Sequence, residues 1–185
     1  MPEVAKLTED DTQSKSSKYL TFVLAAEEHG LEILKVREII GAMDITTVPQ
    51  TPQYVKGVIN LRGKVIPVAD LRLKFGMAEA ERTEETCIIV VAVAGVEMGI
   101  VVDRVSEVLD IASENIENAP SFGTDVDTSF ILGMGKAEGR VTILLDIGKV
   151  LTAEELSAVA SSVRESQELS PQEEPSIEER EKANV

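Results

Sequence analysis

Apolar positions fall in short, β-branched runs separated by turn residues, and this rhythm predicts strands. Tyr19–Leu24 is the first run. Glu28-His29-Gly30 reads as a turn and Leu31-Glu32-Ile33 as a second strand. Ile33, Val36 and Ile40 have helical spacing, but their β-branched content favours a short turn followed by a strand. Val48-Pro49 and Thr51-Pro52 break regular structure. Gly57–Leu61 and Lys64–Val68 then form a hairpin about Arg62-Gly63. Pro67 lacks an amide donor and predicts an edge or bulge position. Ala69–Phe75 predicts a helical turn ended by Gly76, and Met77–Glu85 a charged linker.

The second half repeats the rhythm. Cys87–Val93 and Val96–Val102 flank a turn at Ala94-Gly95. Val108–Ile111 is a further strand, and residues 112–129 read as a loop carrying Pro120 and Gly123. Ile131–Lys136 and Arg140–Leu145 flank Glu138-Gly139. Thr152 and Glu155 then make a capping box, with Leu151 and Leu156 as a hydrophobic staple. Leu156, Val159, Ala160 and Val163 share one face, which predicts an amphipathic helix packed on the body. Residues 1–17 read as a flexible acidic arm and 164–185 as a disordered acidic tail. Between them, 18–156 forms the globular part, in two intertwined halves of roughly 18–80 and 86–151.

The halves align with each other. Gly30–Ile40 over Gly99–Leu109, an offset of 69, matches Gly30/Gly99, Val36/Val105 and Glu38/Glu107. Gly57–Phe75 over Gly133–Leu151, an offset of 76, matches Gly57/Gly133, Gly63/Gly139, Val65/Val141 and Asp70/Asp146. Pro49 and Pro120 fall between the blocks at an intermediate offset. Two copies of one β unit, about five short strands each, fit a pair of small barrels or a double sandwich. The hairpin tips differ: Arg62 in the first copy stands where Glu138 stands in the second. Tips tolerate change, so Arg62 is a candidate binding residue, against the plainer reading of a solvated turn charge.

Composition narrows the function classes. Aromatics make up 3% and Trp is absent, so the core is aliphatic. The net charge is −15, divided as −2 over residues 1–17, −7 over 18–151 and −6 over 152–185. An acidic body is a poor partner for nucleic-acid phosphates and for anionic membrane surfaces. No apolar run has the length of a membrane helix, and the first residues lack the pattern of a signal peptide, so the expected compartment is the cytoplasm. One Cys and one His exclude an internal disulfide and a Cys/His zinc site within one chain. Cys87 reads as a buried inert thiol and His29 as a solvated turn residue. No phosphate loop, nucleophile elbow or paired acid–base site is recognisable, and no metal or cofactor is implied. Asp70 and Asp146, matched in the two copies, read as caps of the helical turns that follow them. A rigid β body without catalytic groups points to binding and not to an enzyme.

Four stretches carry a resemblance: EEHGLEILKVREI at 27–39, TPQYVKGVINLRGKVIPVADLRLKFG at 51–76, VVAVAGVEMGIVVDRVSEVL at 90–109 and ILGMGKAEGRVTILLDIGKVL at 131–151. The chain resembles the CheW family of bacterial chemotaxis coupling proteins from about Lys18 to about Leu156. The NLRG…P-x-x-DLR pattern is the most specific element. The resemblance implies an all-β fold of two five-stranded SH3-like barrels, which agrees with the duplication. It implies a non-enzymatic, cytoplasmic adaptor between chemoreceptor (methyl-accepting chemotaxis protein) tips and the regulatory domain of the histidine kinase CheA. The pseudo-symmetric barrels are compatible with self-association in rings. The resemblance places a receptor hairpin in an apolar groove between the barrels, with Val36, Glu38, Ile39, Arg62, Val105 and Val108 as contacts. It places the kinase contact at Pro120 and Phe122. Glu117 stands just before that segment, where a basic residue is expected. A second reading, a regulatory module of a larger signalling protein such as the CheA C-terminal domain or a receiver-containing coupling protein, finds no room in this chain for a receiver or kinase core.

Overall fold

The computed structural model describes residues 15–121, 123 and 127–168. Those residues form eleven strands and three helices. The strands are β1 Ser16–Leu24, β2 Glu27–Glu32, β3 Val36–Gly41, β4 Val55–Leu61, β5 Lys64–Asp70, β6 Cys87–Val93, β7 Val96–Val102, β8 Arg104–Ala112, β9 Ile116–Glu117, β10 Ile131–Ala137 and β11 Arg140–Leu145. The helices are α1 Leu71–Lys74, α2 Ile147–Val150 and α3 Ala153–Glu168. One sheet runs β8-β1-β2-β11-β10-β9 and the other β3-β6-β7-β5-β4. The expected halves, 18–80 and 86–151, each contribute strands to both sheets.

That exchange follows the duplication strand for strand. The offsets relate β1 to β6, β2 to β7, β3 to β8, β4 to β10 and β5 to β11. Each sheet therefore takes its first two repeat strands from one copy and the other three from its twin. In both, the exchange is sealed by a parallel pair, β5–β7 and β11–β2. A reciprocal exchange of this kind relates the copies by a pseudo-two-fold axis. The barrels close at matched places too: Thr46 pairs with Val58 of β4, and Glu117 with Met134 of β10. Here the paired glycines acquire a reason. A Cβ on Gly57 would lie 2.0 Å from the Thr46 carbonyl oxygen, and one on Gly133 2.7 Å from that of Glu117. Asp70 and Asp146 cap their helices as expected, accepting from the Arg72 and Gly148 amides at 2.8 and 3.0 Å.

Several expectations are corrected. The first turn lies at Ala25-Ala26, with Ala25 at φ 55°, and His29 is inside β2. His29 is 3% exposed, not solvated, because β2 pairs with β1 on one side and β11 on the other. Its ring stacks between Phe22 and Phe75 at centroid distances of 5.7 and 6.0 Å. Pro67 occupies an interior strand, not an edge or a bulge. Opposite it, Val58 spends both backbone groups on Thr46 at 2.8 Å, and the pairing with β7 starts only at Val68, so the missing donor costs no ladder bond. The Cys87 thiol is half-buried and donates to the Glu85 carbonyl. Ile116–Glu117 forms a strand inside the expected loop. β1 starts at Ser16, within the expected arm, and α3 runs to Glu168, within the expected tail. Residues 1–14 and 169–185 lie outside the described residues.

Three apolar cores result. Leu109, Ile111, Leu144 and Tyr19 fill one barrel, and Ile59, Ile66, Val68, Ile88 and Val90 the other. The largest core lies between the barrels and includes Leu20, Phe22, Leu31, Ala69, Ile89, Val91, Met98, Ile100 and Leu145. Each fully buried Leu or Ile contributes roughly 1.5–3 kcal/mol, so this shared core holds the barrels in one relation. Helix α3 is tied on by Glu155. It accepts from Tyr54 Oη at 2.9 Å, Lys74 Nζ at 2.5 Å and the Thr152 amide at 2.9 Å, and Leu156 and Val159 are buried beneath it. Burial alone would raise the Glu155 carboxyl, but these donors hold it down at about 2. Burial and the Glu155 carboxylate push the Tyr54 phenol up to about 12.

Candidate binding seam

Residues directly opposite in neighbouring strands present side chains to the same face. Four such rows run through the inter-barrel core and end on the strands β3 and β8, which begin the two sheet orders. One row is Val108–Leu20–Leu31–Leu145 and its twin is Ile39–Ile89–Ile100–Ala69. A third is Val105–Phe22–His29–Ile143 and its twin Val36–Val91–Met98. The outer ends are open. Ile39 is 44% and Val108 49% exposed, while Val36 and Val105 are half-buried against the shared core. Four of the six expected receptor contacts are therefore the solvent-facing rim of the shared core.

The other two meet each other. Arg62 sits at the β4–β5 tip with φ 53° and reaches Glu38 of β3 through both guanidinium terminal nitrogens, one at 3.0 Å. Beside it Lys64 pairs with Glu97 at 2.9 Å. Arg62 is thus a partnered side chain, not simply a solvated turn charge. The twin tip on β10–β11 is wired differently. Arg140, the counterpart of Lys64, bonds Glu28 at 3.1 Å, Glu107 at 2.8 Å and Glu138 at 3.3 Å. Hydrogen bonding to Glu107 and the Glu28 charge raise the Arg140 pKa further, so it is always a cation. The sequence reading passed over this second cluster, although the offsets lead from Glu38 to Glu107 and from Arg62 to Glu138.

The kinase-contact candidates are less gathered. Pro120 is exposed in the segment after β9, and Phe122 lies outside the described residues. Glu117 is on β9 and pairs with Lys136 of β10.

Among the described residues no group of His, Cys, Asp and Glu could hold a metal ion. The polar pocket under Ala80–Arg82 is crossed by the Arg72–Asp103 pair, with Arg72 Nε 2.7 Å from the carboxylate. Asp103 also accepts from the Ala25 amide at 2.8 Å, so this pair ties α1 to the β1–β2 turn. No described helix is long and apolar enough to cross a membrane.

The swapped barrels match a known pattern. The CheW-like domain model covers residues 18–155. The chain belongs to the CheW-like family. The chemotaxis protein CheW of Klebsiella aerogenes is 41% identical over 147 residues, which span 80% of this chain and 89% of that protein. That of Bacillus subtilis is 36% identical over 138 residues, 74% of this chain and 88% of the other. The crystal structure of the scaffolding protein TtCheW from Thermoanaerobacter tengcongensis superposes with a TM-score of 0.69 at 35% identity, covering 76% of this chain and 96% of that one. The family fold, two SH3-like barrels from an internal duplication with a C-terminal helix, is the fold described above.

Proposed function

We propose that this chain is a non-enzymatic chemotaxis adaptor that couples chemoreceptor cytoplasmic tips to the regulatory domain of the histidine kinase CheA, in the cytoplasm. The observation that carries the reading is the open rim of the shared core. Val36, Ile39, Val105 and Val108 form an aliphatic trough, and Glu38 with Arg62 marks one wall. A helix laid in such a trough buries its apolar face and meets a few fixed charges, the arrangement of helix-in-groove recognition. A receptor tip is a helical hairpin and offers such a face. Pro120, exposed in the segment after β9, and Phe122 are the proposed kinase contact, and Glu117 makes that edge more acidic than the family pattern.

Reconstitution tests the reading. Purified chain, receptor cytoplasmic fragments and CheA are mixed, and co-sedimentation and kinase activity are followed. The expected result is a ternary complex in which kinase activity depends on the added chain. Absence of a complex with either partner sinks the proposal.

A further inference from the structure

The seam has two walls made by twin segments, and the twins agree in what is apolar. Val36 corresponds to Val105 and Ile39 to Val108, branched aliphatics on both sides. Turning a bound helix by 180° about the pseudo-two-fold exchanges the walls and meets nearly the same apolar surface. Apolar burial alone would therefore hold the helix in either of two opposed orientations with similar strength. A coupling site needs one.

We propose that the charge difference between the two hairpin tips, Arg62 over the β3 wall and Glu138 over the β8 wall, selects the orientation of the helix bound in the seam. The proposal rests on the receptor-tip reading and names what gives that site its polarity. At the β3 wall two cations, Arg62 and Lys64, pair one to one with Glu38 and Glu97. At the β8 wall a single cation, Arg140, serves Glu28, Glu107 and Glu138. Two charges for two against three for one leaves the β8 wall more negative by two. The whole difference comes from Arg62 against Glu138, since Glu28 matches Glu97, Glu107 matches Glu38 and Arg140 matches Lys64, but the β8 cluster is also anchored more firmly. The Glu28 carboxylate is only 14% exposed and takes a 2.9 Å hydrogen bond from the buried Thr142 hydroxyl, where the twin position holds apolar Ile66. A helix with basic side chains along one flank thus settles with that flank against β8 and its acidic flank against β3.

Both tips face solvent, with side-chain exposures of 73% for Arg62 and 67% for Glu138. Exposed pairs contribute modestly and are screened by salt, so the orientation preference is about tenfold at low ionic strength and falls as salt is raised.

The test uses the full chain with isotopically labelled Ile, Leu and Val methyls and a receptor cytoplasmic-tip fragment carrying a nitroxide on one flank of its helix. In the wild type, paramagnetic broadening falls on one wall only, on Val36 and Ile39 or on Val105 and Val108. Glu138→Arg spreads it over both walls, and Arg62→Glu with Glu138→Arg moves it to the opposite wall, while methyls of the barrel interiors keep their positions and report an intact fold. Broadening of both walls in the wild type overturns the proposal, as does a one-sided pattern that neither variant changes. No broadening on either wall in the wild type instead overturns the receptor-site reading beneath it.

Discussion

Arg62 and Glu38 lie 24 residues apart in the chain and meet in a two-pronged guanidinium–carboxylate pair between the β4–β5 tip and β3. The pair fixes where a cation stands beside the apolar rim. It is exposed, so its contribution to folding is about 0–1 kcal/mol. Arg62→Glu is expected to lower affinity for receptor tip fragments about tenfold, since it places two carboxylates side by side at the rim. Titration calorimetry checks the affinity and urea unfolding the fold, whose midpoint should barely move. Unaltered affinity would remove Arg62 from the site.

The closing strands predict a second outcome. Gly57 sits at φ +139° with the Thr46 carbonyl against the place of its missing Cβ, and Gly133 faces the Glu117 carbonyl at a looser 2.7 Å. Gly57→Ala should cost about 2–4 kcal/mol, from strain and backbone displacement together, and Gly133→Ala less. Chemical denaturation of both variants measures this. The opposite ranking would contradict the barrel closure described here.

His29 predicts a pH dependence. Burial between Phe22 and Phe75 pushes its imidazole down to about 4, and among the described residues neither ring nitrogen has a hydrogen-bond partner. The Glu27 carboxylate lies 3.7 Å from Nε2, beyond hydrogen-bond reach, and is largely exposed. The unfolded chain takes up this proton near pH 6.5 and the folded chain only near 4, so stability is lost as pH falls between the two. The loss is about 3 kcal/mol by linkage. Unfolding midpoints of wild type and His29→Phe at pH 7 and pH 4.5 isolate it. The gap between the two proteins should shift in favour of the variant at low pH, and a pH-independent gap would be inconsistent with a buried neutral imidazole.

How legible was this in the chain? Strand runs, caps and turns at Gly63, Gly95 and Gly139 were readable because each rests on local chemistry. The matched glycines and aspartates also marked the duplication. What local reading could not reach was the exchange of strands between copies. It is set by parallel pairs such as Val68–Gly99, distant in sequence. His29 was misplaced for the same reason: a polar residue beside glycine looks like a turn until β11 is laid against it. The twin offered a remedy, since Ala94-Gly95 less 69 points to Ala25-Ala26. At the seam, Arg62 stood out as a difference between copies. The Arg140 cluster did not, because its partners Glu28 and Glu107 come from other strands.

The central claim is that the open rim of the shared core receives a receptor helix. The most direct measurement is the affinity of a receptor cytoplasmic-tip fragment for the wild type and for Val108→Glu and Ile39→Glu, each with its unfolding midpoint. Both side chains are about half exposed, so the folds should survive while a buried carboxylate opposes the bound helix. The account predicts at least about a tenfold loss of affinity in each variant at nearly unchanged stability. Wild-type affinity in both stable variants would contradict it.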